Sequence, residues 1–232
     1  MRSKITFLAI CALALFACKN QSGDAPVLKE QPASEIVEKP KAEEPVYEIN
    51  TTLGTIKIKL YKETPLHRDN FAKLVGQKFY DGILFHRVIP GFMIQAGDPL
   101  SKDPAQVAKY GTGGPGYTVP AEILPQFTHK KGAVAAARRG DKANPNRESS
   151  GSQFYLVHSA EACAQLDGQY TVYGETIEGL DVIDKIATVA TGAQKKDLPN
   201  EPVKIISVRE IEVAPAVAAT DSTAVKESAD AE

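Results

Sequence analysis

Seven short runs rich in β-branched and aromatic residues recur along this chain, at 46–50, 55–61, 84–89, 92–96, 153–157, 171–176 and 203–213, and an eighth run, 132–137, is built of small residues around Val134. Only two stretches between them carry a helical period. Parallel strands need a long crossover, usually a helix, at each connection, so a chain with many strands and few helices pairs them antiparallel. The pattern predicts a mainly β fold, a closed or nearly closed antiparallel barrel. In the first hairpin Ile56, Ile58 and Leu60 alternate with Lys57 and Lys59, which leaves one wet face. Thr64 before Pro65 then predicts a helix opened by a hydroxyl cap with proline at its first position. Phe71, Leu74 and Val75 supply its apolar stripe and Gly76 its stop, while Leu180, Ile183 and Ile186 mark a second amphipathic helix.

Both ends of the 232-residue chain lack such patterning, which leaves one core domain, 46–213. Arg2 and Lys4 precede an apolar run from Ile5 to Ala17, too short to span a bilayer, and Cys18 follows a small residue. This resembles a bacterial lipoprotein signal, which implies removal of 1–17 and lipidation of Cys18. A plain secretory signal is the alternative. The residues after it, to 45, are dominated by Pro, Glu, Lys, Ala and Gln and are expected to form a disordered tether, with a reach of roughly 30 Å. Residues 214–232 read as a disordered tail. The expected location is the cell envelope, with the chain lipid-anchored to a bacterial membrane and periplasm-facing or surface-exposed. Of three cysteines, Cys11 would leave with the signal and Cys18 would be acylated, so Cys163 has no partner for a disulfide.

The composition also excludes chemistries. A formal charge of −2 offers no cationic surface for nucleic acid. The four histidines, His67, His86, His129 and His158, stand apart, with no H-E-x-x-H or C-x-x-C, so no metal or other cofactor is expected. No G-x-S-x-G marks a hydrolytic serine. Gly111 to Gly116 formally satisfies G-x-G-x-x-G, but Tyr117-Thr118-Val119-Pro120 follows where a phosphate-binding helix should start. Arg139-Gly140-Asp141 is a tripeptide of common loop residues and carries no adhesion reading.

What remains is Phe85-His86-Arg87-Val88-Ile89-Pro90-Gly91-Phe92-Met93-Ile94-Gln95, two apolar runs hinged at Pro-Gly and carrying one guanidinium. If the strands are neighbours, Arg87, Phe92, Met93, Gln95, Gln153, Tyr155 and Leu166 form one pocket. That stretch, with Gly111 to Tyr117 and Gly151-Ser152-Gln153-Phe154-Tyr155, resembles the cyclophilin-type peptidyl-prolyl isomerases over roughly Tyr47 to Val213.

The resemblance implies a closed eight-stranded antiparallel β-barrel capped by two α-helices, acting on proline-containing polypeptides, here exported ones, without a cofactor. It implies that Arg87 is catalytic and that Gln95 orients it or holds the substrate carbonyl. Phe92, Met93, Tyr155 and Leu166 would wall the proline site, and Ala137, Arg138, Gln153 and Tyr170 would contact substrate. His86 is expected to point away and be structural. Tyr155 stands where Phe is usual and would add a hydroxyl at the pocket. Arg138 stands where Asn is usual and would add a charge at the rim, and Tyr170 stands where His is usual. Gln165 replaces an aromatic, commonly Trp, which implies weak cyclosporin inhibition. A monomer is expected. The competing reading is a non-catalytic module or chaperone that holds proline loops.

Overall fold

The computed structural model describes residues 42–212; the expected leader, Cys18, the tether up to residue 41 and the tail from 214 lie outside the described residues. Within that span the chain forms β1 (Val46–Thr51), β2 (Gly54–Leu60), β3 (Arg87–Ile89), β4 (Met93–Ala96), β5 (Thr118–Val119), β6 (Ala133–Ala136), β7 (Ser149–Ser150), β8 (Phe154–Val157), β9 (Val172–Glu178) and β10 (Ile205–Ile211). Eight of these make one sheet in the order β10-β1-β2-β9-β6-β8-β4-β3, every neighbouring pair antiparallel. Each predicted run supplies one of the eight. The remaining two, β5 and β7, pair only with each other and were not predicted, because two-residue strands of Thr, Val and Ser carry no periodicity.

The sheet is strongly curled, and its ladder is open between β3 and β10 where a closed barrel was expected. The run 84–89 becomes a strand only in its second half, so this edge is too short for a full ladder. A single bridge, Leu84 with Lys204, joins the edges, flanked by bonds from the Gly82 and Phe85 amides to the Ile205 and Val203 carbonyls (2.8 and 2.9 Å).

Helices are few: α1 (Pro65–Gly76), the single turn α2 (Ala160–Cys163) and α3 (Leu180–Ala187). The start of α1 is capped differently from the expectation. The Thr64 hydroxyl donates to the Tyr61 carbonyl (3.3 Å), and the helix amides of Leu66 and His67 donate to the Glu122 carboxylate (3.0 and 2.9 Å). An anion there satisfies open N–H groups and meets the positive end of the helix dipole. A polar segment follows β4. It holds two 3-10 turns, Pro99–Lys102 and Pro104–Lys109, whose first amides are accepted by the carboxylates of Asp98 and Asp103.

Alternation along the strands separates two apolar clusters. The inner one joins Ile49, Ile56, Ile58, Ile94, Phe154 and Leu156 to the buried faces of α1 and α3. Phe71 of α1 is ringed by Tyr47, Tyr80 and Phe154 at centroid distances of 5.2, 5.0 and 5.8 Å. Truncating a phenyl so placed costs about 3–5 kcal/mol. The opposite faces of β4, β6 and β8 send Met93, Ala133, Ala135, Tyr155 and Val157 into a smaller outer cluster, and the candidate site is built there.

Candidate active site

The Ile89-Pro90-Gly91-Phe92 turn aims the site. Proline suits its second position, Gly91 takes φ 72° at its third, and the Phe92 amide donates back to the Ile89 carbonyl (3.0 Å). The register that follows pairs Arg87 with Gln95, Gln95 with Tyr155, and Tyr155 with Ala135. Directly opposed residues share a face, so these four form a row across β3, β4, β8 and β6.

A hydrogen-bond relay runs beside this row. Arg87 Nη1 donates to Gln95 Oε1 (3.4 Å), Gln95 Nε2 to Gln153 Oε1 (3.0 Å), and Gln153 Nε2 to the Gly113 carbonyl (2.7 Å). Both amides are thereby oriented, with the Gln95 oxygen turned to the guanidinium. The Arg87 side chain is 43% exposed, and its Nε lies 3.7 Å from Asp197 Oδ2, so much of the donor fork faces solvent. Asp197 was not foreseen; it sits in a loop without a motif, and tertiary contact alone brings it here.

The glycine loop has a structural purpose. The buried Asp98 carboxylate accepts from the amides of Gly111 and Gly113 as well as Leu100, which sets the loop against Gln153. A Cβ on Gly113 would lie 2.2 Å from Asp98 Oδ1, so no larger residue fits unless something moves. Gln95 and Gln153 also line a cleft of about 1000 Å³ between this loop and the segment Arg138 to Ser150. Ser152 is buried with its hydroxyl donated to the Gly97 carbonyl (2.7 Å), so it has no nucleophilic role.

Beside Arg87 lies the apolar part. Met93 and Tyr155 are buried, and Phe92, Ala137, Leu166 and Tyr170 pack half-buried against them. Every residue proposed for the proline wall from the sequence is therefore in one cluster. Gln165 is exposed and donates to the Ala162 carbonyl (3.3 Å), outside that cluster.

Two expectations are corrected. Tyr155 does not present its hydroxyl to the pocket, because the oxygen lies 2.9 Å from Nε2 of the buried His129, whose Nδ1 is 2.6 Å from Asp167 Oδ1. In the sequence His129 is one of four scattered histidines, with no motif to join it to Tyr155. Nor does Arg138 add a free charge to the rim. Its side chain is 4% exposed, its guanidinium lies 4.4 Å from the Tyr170 ring centroid, and it bonds to the Gln169 and Arg139 carbonyls (3.0 Å each) and to Asp141 (2.5 Å). That pairing holds the Asp141 carboxyl below its ordinary range.

His86 is buried, and neither ring nitrogen has a hydrogen-bond partner. Burial pushes it down to about 4, so it stays neutral at physiological pH, in line with a structural role. Among the described residues no cluster of three or more His, Cys, Asp or Glu side chains could hold a metal ion, and no helix is long and apolar enough to cross a membrane.

Fold and site together define a curled antiparallel sheet whose outer face carries the Arg87 guanidinium, held by Gln95, beside an apolar cluster that gathers Phe92, Met93, Tyr155 and Leu166. Comparisons with known proteins give this class a family. Residues 46–210 match the model of the family described as cyclophilin type peptidyl-prolyl cis-trans isomerase/CLD. The chain is 36% identical over 170 residues to a peptidyl-prolyl cis-trans isomerase of Acinetobacter baylyi, covering 70% of this chain and 83% of that one. It is 38% identical over 156 residues to one of Helicobacter pylori, covering 66% and 86%. A crystal structure of a cyclophilin type peptidyl-prolyl cis-trans isomerase of Cryptosporidium parvum superposes with TM-score 0.64 at 27% identity, covering 74% of this chain and 99% of that one. The chain belongs to the cyclophilin-type peptidyl-prolyl cis-trans isomerase family, and its activity is isomerisation of X-Pro bonds in polypeptides.

Proposed function

We propose that Arg87 is the catalytic group of this isomerase and that it acts on exported proteins at the bacterial cell envelope. An X-Pro bond relaxes in tens to hundreds of seconds because rotation breaks amide resonance, over a barrier of about 18–20 kcal/mol. No bond is made or cleaved, so no nucleophile or proton shuttle is needed. A guanidinium that donates to the proline nitrogen favours the twisted state, in which the lone pair has left resonance and can accept. A charge-assisted hydrogen bond of about 1.5–3 kcal/mol that exists mainly in that state gives roughly ten- to a hundredfold.

The observation that carries this reading is the partly exposed Arg87 guanidinium held by Gln95 in register with Tyr155. Gln95 orients the fork, and Gln153 holds Gln95 and lines the cleft that would receive residues flanking the proline. Phe92, Met93, Tyr155 and Leu166 grip the pyrrolidine ring, with Ala137, Arg138 and Tyr170 at the border of that recess. Gripping of this kind is largely uniform binding and does not itself speed rotation. A second structure of the Cryptosporidium parvum relative, described in the presence of the dipeptide Ala-Pro, supports a proline-sized ligand.

For location, the support is the pattern of Arg2, Lys4, the apolar run and Cys18, and we propose a lipid anchor on Cys18 with a tether that holds a monomeric domain off the membrane. Labelling with a fatty-acid analogue, lost in Cys18→Ser, tests the anchor. A protease-coupled assay on an Ala-Pro peptide tests the site. Arg87→Ala should lower kcat/KM by roughly ten- to a hundredfold, whereas wild-type activity no higher than Arg87→Ala would favour a binding module instead.

A further inference from the structure

Tyr155 occupies the floor of the proposed proline recess, and the groups behind it form a complete chain. Asp167 Oδ1 lies 2.8 Å from the His129 backbone nitrogen and 2.6 Å from Nδ1, and His129 Nε2 lies 2.9 Å from the Tyr155 oxygen. An ionised carboxylate can only accept, so Nδ1 carries the imidazole proton, Nε2 is bare, and the Tyr155 hydroxyl donates to it. The imidazole is wholly buried and lies parallel to the Tyr155 ring, with centroids 5.9 Å apart and 9° between the planes.

We infer that His129 is a positioning residue of the isomerase: by accepting the Tyr155 hydroxyl it fixes that ring as the pocket floor, with its polar end turned out of the recess. The inference rests on the reading of Tyr155 as part of the proline wall. A buried hydroxyl deprived of its acceptor must find another partner, by turning toward the recess or by admitting water, and either disturbs the surface the proline ring needs. Protonation of His129 would reverse the bond, with Nε2–H donating to the Tyr155 oxygen and the hydroxyl proton left to find another acceptor. The groups facing this pair are Asp167 from the loop after α2, and Tyr170, Cys163 and Arg138 around the Tyr155 ring. Burial holds His129 below its ordinary value despite Asp167, which keeps the acceptor in place at neutral pH.

The first test is spectroscopic and needs no variant. Long-range proton–nitrogen spectra of the full chain should show His129 neutral at pH 7 with its proton on Nδ1; a proton on Nε2 would overturn the inference. The second is a mutant cycle in the protease-coupled assay. His129→Leu should lower kcat/KM about three- to tenfold, and adding Tyr155→Phe should recover most of that loss, since replacing both partners by apolar groups leaves nothing unsatisfied. A merely structural histidine would give the same loss in both backgrounds, and that result, or no loss at all, would overturn the inference. Tyr155→Ala separates the two readings. If it lowers kcat/KM while His129→Leu does not, only the positioning role fails; if Tyr155→Ala is also without effect, both the pocket and the positioning role fail.

Discussion

Replacing Arg87 by lysine keeps the charge of the site and removes its shape, which makes Arg87→Lys the sharpest test of how this enzyme works. The guanidinium bonds Gln95 Oε1 through Nη1 at 3.4 Å and has Nε 3.7 Å from Asp197, while 43% of the side chain is exposed, so donors remain open on a fork that Gln95 holds. An ammonium is a point charge on a flexible stem, without a planar fork that can bond Gln95 and substrate at once. If the twisted amide depends on a directed donor, the loss in kcat/KM should approach that of Arg87→Ala, about tenfold or more, corresponding to at least about 1.4 kcal/mol. Stability should hardly change, because the side chain is nearly half exposed and outside both apolar clusters; a shift within about 0.5 kcal/mol is expected. The assay is protease-coupled isomerisation of an Ala-Pro peptide in the cold, with thermal unfolding of the same samples as the control. If Arg87→Lys retains activity within about twofold of wild type, a generic positive charge suffices and the directed-donor argument is refuted.

Other consequences can be checked with the same preparations. Glu122 accepts from two α1 amides and from His67 Nδ1 (2.6 Å), so Glu122→Gln should destabilise the domain by about 1–3 kcal/mol, read by urea unfolding at pH 7. Burial acts to raise the Glu122 carboxyl, but the bonds from His67 and the two amides outweigh it and hold it below its ordinary value. A depressed carboxyl contributes stability above its unfolded value that is lost as pH falls through the folded one, so the gap between wild type and Glu122→Gln should close below about pH 4.5. A gap that persists at acid pH would contradict the assignment. Gly113→Ala should displace the carbonyl that Gln153 holds and lower kcat/KM about three- to tenfold; unchanged kinetics would remove the relay from the account. Burial holds His86 and His129 below the ordinary imidazole value, so kcat/KM should vary by less than about twofold between pH 6.5 and 8. A step in that window would contradict the reading of both imidazoles as neutral.

The strands that build the sheet were legible because alternation and β-branched runs are local properties. Phe92, Met93, Gln95 and Arg87 were legible as a group because they fall on one hairpin, where a Pro-Gly turn and a period of two already decide which side chains share a face. Groups that complete the site from a distance were not. His129, Asp167 and Asp197 stand in irregular segments, and Glu122 caps a helix that begins more than fifty residues before it in the chain. Two readings failed for the same reason: Tyr155 and Arg138 were judged by residue type, and their polar groups proved to be engaged by partners distant in sequence or by their own loop.

By itself, then, the sequence determined the class of fold, the antiparallel pairing of short strands and the hairpin on which Arg87, Phe92, Met93 and Gln95 fall together, since these follow from periodicity and turn chemistry within a few residues. The tertiary structure decided where each polar atom points. Whether a hydroxyl faces substrate or a buried imidazole, whether a guanidinium is free or stacked on a tyrosine, and whether the ladder closes all depend on which distant groups arrive within about 3 Å, and hydrogen bonds are decided at that range.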